Sequence, residues 1–208
     1  MSYDRTAMLK VLRPAVSRVL TPLGRTLADR GVSPDMVTAF GTLGTVVSAL
    51  YFFPRGELWW GSLAVAVFVL ADMLDGVVAR ARGGNGSRWG AFLDSSLDRI
   101  ADASIFAGLI FHYFGTGQRV LAGVALFCLI AGMLVSYVKA RAEGLGMTCD
   151  VGFAERTERL IIVLVSAGFG HLFGVPYLTA AGLWLLAAAS AFTVVQRLMH
   201  VRRQAVPE

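Results

Sequence analysis

The stretch Asp72-Met73-Leu74-Asp75-Gly76-Val77-Val78-Ala79-Arg80, followed after nine residues by Gly90-Ala91-Phe92-Leu93-Asp94-Ser95-Ser96-Leu97-Asp98, decides how this chain is read. Its four carboxylates interrupt or adjoin apolar runs long enough to cross a bilayer. An ionised carboxylate in hydrocarbon is costly, so such residues face a protein interior or a watery cavity and serve a function. Asp72 and Asp75 are spaced i,i+3, and Asp94 and Asp98 i,i+4, which sets each pair on one helix face. Two such helices turned toward each other present four carboxylates to a common point. Their repulsion calls for cations, and hard divalent ions with oxygen ligands, Mg2+ above all, suit them. The expectation is an intramembrane metal site holding two Mg2+ ions, with Mn2+ the other candidate.

The whole chain agrees with a membrane setting. Of 208 residues, 56% are hydrophobic and only 16% charged, outside the range of ordinary soluble domains. The formal charge of +5 comes from basic residues that alternate with apolar spans, and no RNA-binding motif accompanies them. No nucleic-acid partner is expected. Cys128 and Cys149 offer neither a disulfide framework nor metal-ligand spacing. Six apolar stretches, at about 35–53, 58–80, 90–115, 119–141, 157–175 and 177–199, each approach the ~20 residues a spanning helix needs. Ser33 and Pro34 supply an N-cap and first-turn proline for the first span. The fold expected is an all-α integral membrane protein with six transmembrane helices.

Ahead of the spans, Leu9, Leu12, Val16, Val19, Leu20, Leu23 and Leu27 recur at roughly helical spacing between Lys10, Arg13, Arg18 and Arg25. This reads as an interfacial amphipathic helix, broken around Pro14 and Pro22, on an anionic leaflet. These charges and prolines also argue against a cleavable leader. The expected organisation is a juxtamembrane segment over 1–33, a membrane domain over 34–203 and a tail over 204–208. Sixteen Lys and Arg fall on one side of the spans, against Arg55 and Arg119 on the other. That asymmetry predicts both termini and the carboxylate ends in the cytoplasm of a multi-pass cell-membrane protein.

The order D-x2-D-G-x2-A-R-x8-9-G-x3-D-x3-D resembles the motif of the CDP-alcohol phosphotransferase family. The resemblance implies displacement of CMP from a CDP-linked lipid by the hydroxyl of a second alcohol. By motif position it implies Asp72, Asp75, Asp94 and Asp98 as metal ligands, with Asp98 also the catalytic base. Gly76, Ala79, Arg80 and Gly90 would surround the cytidine diphosphate of CDP-diacylglycerol. Asp35 and Thr38 at the entry of the first span, and Ser87 from the loop, are weaker additions to that pocket. The loop Gly83-Gly84-Asn85-Gly86-Ser87 is no Walker-type phosphate loop, because no Gly-Lys-Ser/Thr follows.

A cationic group marks the acceptor. Ser136, Lys139 and Arg141 end the fourth span, Arg156 and Arg159 open the fifth, and Arg197 ends the sixth. Basic residues at span ends are ordinarily topological or headgroup anchors. Drawn from three helices, they are also how a phosphate is gripped, arginine doing so through paired hydrogen bonds. The segments around them are similar to the actinobacterial phosphatidylinositol-phosphate synthases within the family. That likeness implies 1D-myo-inositol 3-phosphate as acceptor, bound by Ser136, Lys139, Arg141, Arg159 and Arg197, and a homodimer. Siblings using glycerol 3-phosphate, free inositol or serine stay open, as do a cation transporter and a lipid-binding scaffold. Asp102 continues the Asp94–Asp98 face and reads as structural, with Arg99 at i−3 as its partner.

Overall fold

A computed structural model describes residues 22, 24, 26–72, 74–81 and 87–206. Helices α1 (Pro34–Phe52), α2 (Leu58–Asp72), α3 (Leu74–Ala81), α4 (Arg88–Gly115), α5 (Arg119–Glu143), α6 (Arg156–Leu172) and α7 (Pro176–Ala205) account for most of them, with no strand among the described residues. A 3-10 turn, Phe53–Arg55, follows α1 and closes on Gly56, whose φ of 81° is one that an L side chain rarely adopts. The amphipathic segment expected over 1–33 lies largely outside the described residues, as do Met73 and the glycines of the 83–86 loop.

Local chemistry explains the helix starts. Ser33 caps α1, its Oγ accepting from the Met36 amide at 3.2 Å, and Pro34 follows at a position where no amide is needed. Ser87 does the same for α4, accepting from the Gly90 amide at 2.8 Å. Among the described residues four stretches are long and apolar enough to cross a membrane: Pro34–Arg55, Leu58–Arg80, Arg119–Glu143 and Pro176–Ala205. The other two predicted spans are also helical but differ in character. Helix α4 reaches about 42 Å at ~1.5 Å per residue, yet carries Arg88, Asp94, Asp98, Arg99 and Asp102. Helix α6 has only 17 residues and begins with Arg156, Glu158 and Arg159.

Burial along α1 is inverted relative to a soluble helix. Met36, Phe40, Leu43, Val47 and Leu50 face outward, while Thr38, Thr42, Thr45 and Ser48 are buried. An apolar exterior around a small, hydroxyl-bearing interior is what lipid demands of a helix, because hydroxyls must find partners inside.

The chain divides into two compact units, residues 1–44 with 67–98, and residues 45–66 with 99–208. In the first, Val37, Leu74 and Val78 form a buried core against which Leu27, Ala28 and Val32 pack. In the second, small residues let helices approach closely. A Cβ at Gly168 would lie 3.1 Å from Ser62 Cβ, one at Gly182 would overlap Ser166, and one at Gly108 would stand 2.5 Å from the Ala49 carbonyl.

Candidate active site

Within the first unit the predicted acidic cluster forms. Asp72 at the end of α2, Asp75 in the first turn of α3 and Asp94 on α4 each bring a carboxylate oxygen within 4.8 Å of the others. All three are half-buried. Asp98 follows Asp94 by one turn of α4 and is not part of that trio. The donor set is three hard anionic oxygens, with no thiolate or imidazole, which suits Mg2+ or Mn2+ rather than a softer metal.

Two neighbours order this cluster. Thr38 Oγ1 lies 3.0 Å from Asp75 Oδ2 and 3.2 Å from the Pro34 carbonyl, one proton serving both. The Gly76 amide donates to Asp75 Oδ1. Both donors that hold Asp75 are neutral groups. Gly41 was not foreseen: a Cβ there would sit 3.0 Å from Asp72 Cβ and 3.2 Å from Oδ1, tighter than an ordinary contact, so glycine eases the close approach of α1 to this carboxylate. Its signal was a small residue one helical turn after Thr38.

The residues expected around the nucleotide fall into the same unit. The space a Cβ would fill at Gly90 is bounded by Ser87 Oγ at 3.2 Å and Asp35 Oδ1 at 3.7 Å. Asp35, Ser87 and Gly90 are therefore neighbours. At Gly76 the corresponding space is 3.3 Å from Arg80 Nη1, so the guanidinium lies along α3 over the bare backbone. Ala79 is half-buried on the same short helix. At both glycines the bare backbone is met by polar side-chain groups, Arg80 at Gly76 and Ser87 with Asp35 at Gly90.

The second unit holds the cationic residues, most of them paired. Arg159, only 2% exposed, donates from Nη2 to Asp102 Oδ2 at 3.0 Å and from Nη1 to the Ala154 carbonyl at 3.0 Å. Arg156 Nε donates to Asp102 Oδ1 at 3.1 Å. Arg197, equally buried, donates to the Val135 carbonyl at 2.5 Å and the Val151 carbonyl at 2.7 Å, with Glu155 at 3.4 Å. Lys139 pairs with Asp150 at 2.8 Å and Glu143 at 3.8 Å. Ser136 accepts from Arg99, and Arg141 is exposed in the last turn of α5. Asp102 thus takes Arg156 and Arg159, from a helix more than 50 residues away, beyond the Arg99 partner expected from spacing alone.

Helix α7 also stitches the loop ahead of Arg156. Thr193 Oγ1 accepts from the Phe153 and Ala154 amides at 3.1 and 3.0 Å, and the Gln204 amide group pairs with both backbone groups of Thr148. In the loop after α5, outside the spans, the Asp150 carboxyl is held below its ordinary range by the Lys139 ammonium.

Comparison with known proteins agrees with this geometry. The CDP-alcohol phosphatidyltransferase family model matches residues 31–195, and the chain belongs to that family. It is a membrane enzyme family, in keeping with the four stretches among the described residues that are long and apolar enough to cross a membrane. The chain is 50% identical to the phosphatidylinositol phosphate synthase of Streptomyces avermitilis, over 95% of this chain and 84% of that protein. It is 49% identical to the Mycobacterium tuberculosis protein of the same name, over 91% of this chain and 88% of that one. A crystal structure of the M. tuberculosis synthase with CDP-DAG bound superposes with a TM-score of 0.85 at 48% identity, covering 88% of this chain and 94% of that one. Another, in complex with manganese and citrate, gives 0.83 at 47% identity, covering 88% of each.

Proposed function

We propose that the chain transfers the phosphatidyl group of CDP-diacylglycerol to 1D-myo-inositol 3-phosphate, yielding phosphatidylinositol phosphate and CMP. The meeting of Asp72, Asp75 and Asp94 oxygens within 4.8 Å, on the motif of this family, carries the reading. Near-half identity to phosphatidylinositol phosphate synthases over nearly the whole chain supports the choice of acceptor.

Asp72, Asp75 and Asp94 would hold divalent cations, which when bound would supply neutralisation of the pyrophosphate charge and of the departing CMP. Asp35, Ser87 and Gly90, with Thr38, Gly76, Ala79 and Arg80, bind the cytidine diphosphate. Ser136, Lys139, Arg141, Arg156, Arg159 and Arg197 bind the acceptor's phosphate. Asp98 removes the proton of the attacking inositol hydroxyl. That oxygen bonds to the phosphorus bearing diacylglycerol, the bond from this phosphorus to the CMP oxygen breaks, and the electron pair leaves on CMP. The proton on Asp98 then passes to water. In this reading Asp98 also completes the metal ligands, all six apolar helices cross the cell membrane, and the basic asymmetry sets the termini and site on the cytoplasmic side. The active form is a homodimer.

The test is CMP release from CDP-diacylglycerol and Mg2+ with each acceptor offered alone. Turnover with inositol 3-phosphate is expected. Turnover with glycerol 3-phosphate alone would replace the acceptor, and cation flux without CMP would replace the reaction.

A further inference from the structure

Two arginines at i,i+3 on one helix face repel each other, and a guanidinium buried as deeply as Arg159 needs an acceptor beside it. The second unit answers both demands with one carboxylate. Asp102, itself buried on α4, gives Oδ1 to Arg156 at 3.1 Å and Oδ2 to Arg159 at 3.0 Å. Two positive charges against one negative leave this trio with an excess of +1. The guanidinium of Arg159 lies flat against α5 where a Cβ on Gly132 would come 3.1 Å from its Nε. It borders a small cavity of about 10 Å³, the space of one water, that Arg99, Asp102, Phe106 and Gly132 also line. A carboxylate spent this way holds the arginines in one geometry while leaving net positive charge for an anion.

We infer that Asp102 is a positioning residue for acceptor recognition. It acts through Arg156 and Arg159, fixing both forks before the anionic acceptor arrives; this rests on the reading that those arginines bind the acceptor phosphate. Such preorganisation spares the acceptor the cost of gathering two like charges. Asn at 102 keeps the shape and loses the charge, freeing the arginines to spread. A misplacement on the order of 1 Å at a binding group costs up to ~100-fold.

The experiment measures steady-state kinetics of the full-length protein in detergent with CDP-diacylglycerol, Mg2+ and inositol 3-phosphate, for wild type, D102N, D102E and R159A. For D102N the acceptor KM is expected to rise about tenfold or more, with the CDP-diacylglycerol KM within about twofold of wild type. D102E, which restores the charge, falls between the two. Inorganic phosphate, as competitor, inhibits D102N more weakly than wild type. A wild-type acceptor KM in D102N overturns the inference, as does an equal loss against both substrates that D102E does not relieve. If D102N does not fold, the charge-balanced D102N/R156Q is compared with R156Q. A further rise in acceptor KM supports the inference, and equality overturns it. R159A separates the two levels of the argument. A raised acceptor KM there with a silent D102N removes only the role of Asp102, whereas an unchanged one removes the acceptor assignment and this inference with it.

Discussion

The two units treat charge in opposite ways. In the first, Asp72, Asp75 and Asp94 draw like charges together, with oxygens within 4.8 Å, and the donors that hold Asp75 are a neutral hydroxyl and a neutral amide. In the second, buried and half-buried cations are met by carboxylates and carbonyls, as Asp102, Ala154, Val135 and Val151 do for Arg156, Arg159 and Arg197. The difference teaches what each region asks of a ligand. Gathered carboxylates gain from a strongly held cation, which under the proposed function makes the first unit the seat of chemistry. A mostly neutralised cationic cluster grips an anion with a small surplus of charge, which suits reversible selection of a substrate.

The strongest way to break this contrast is to remove the metal. Chelation by EDTA is expected to reduce CMP release to background, with recovery on adding Mg2+ or Mn2+; persistence of turnover would show that the acidic trio serves another purpose. Asp98→Asn should come next, lowering kcat by about 10²–10⁴-fold, the usual contribution of a positioned base, while binding of CDP-diacylglycerol stays measurable. Gly41→Ala tests the first unit from outside the motif. Its Cβ would press on Asp72 at 3.0 Å, so the Mg2+ concentration for half-maximal rate should rise, on the order of tenfold, with the acceptor KM unchanged. Thr38→Val removes one hydroxyl from Asp75 and should cost about 1 kcal/mol, roughly fivefold in rate.

The smallest effect concerns pH. Because Lys139 depresses the Asp150 carboxyl, their contact contributes stability above the ordinary carboxylate range near ~3.9. That contribution fades as pH falls through the depressed value. Thermal unfolding of Asp150→Asn should match wild type at the lowest pH and fall slightly below it at neutral pH.

The acidic unit was legible in the sequence because it is local. Carboxylates at i,i+3 and i,i+4 declare their face through helical periodicity alone, and Ser33 ahead of Pro34 declares the start of α1. The basic unit was legible as a list of residues but not as a set of bonds. Asp102 finds its arginines 54 and 57 positions away, and Arg197 reaches the Val135 carbonyl across 62. A backbone carbonyl acceptor leaves no mark in a sequence, since every residue has one. Spacing offered Arg99 to Asp102 because it sees only one helix at a time. Gly41 escaped notice for a related reason: its importance lies in what the neighbouring helix puts against it.

The close seating of Gly182 on Ser166 and of Gly168 on Ser62 carries a lesson for variation in this chain. Where the surroundings are as oily as the interior, little is gained by hiding a larger side chain, and helices stay together because their outlines match. One extra methyl at such a seam therefore does more harm than shaving one from a lipid-facing leucine, the reverse of the pattern in water-soluble proteins. Damaging changes here should concentrate at the smallest residues, and the bulky ones should drift.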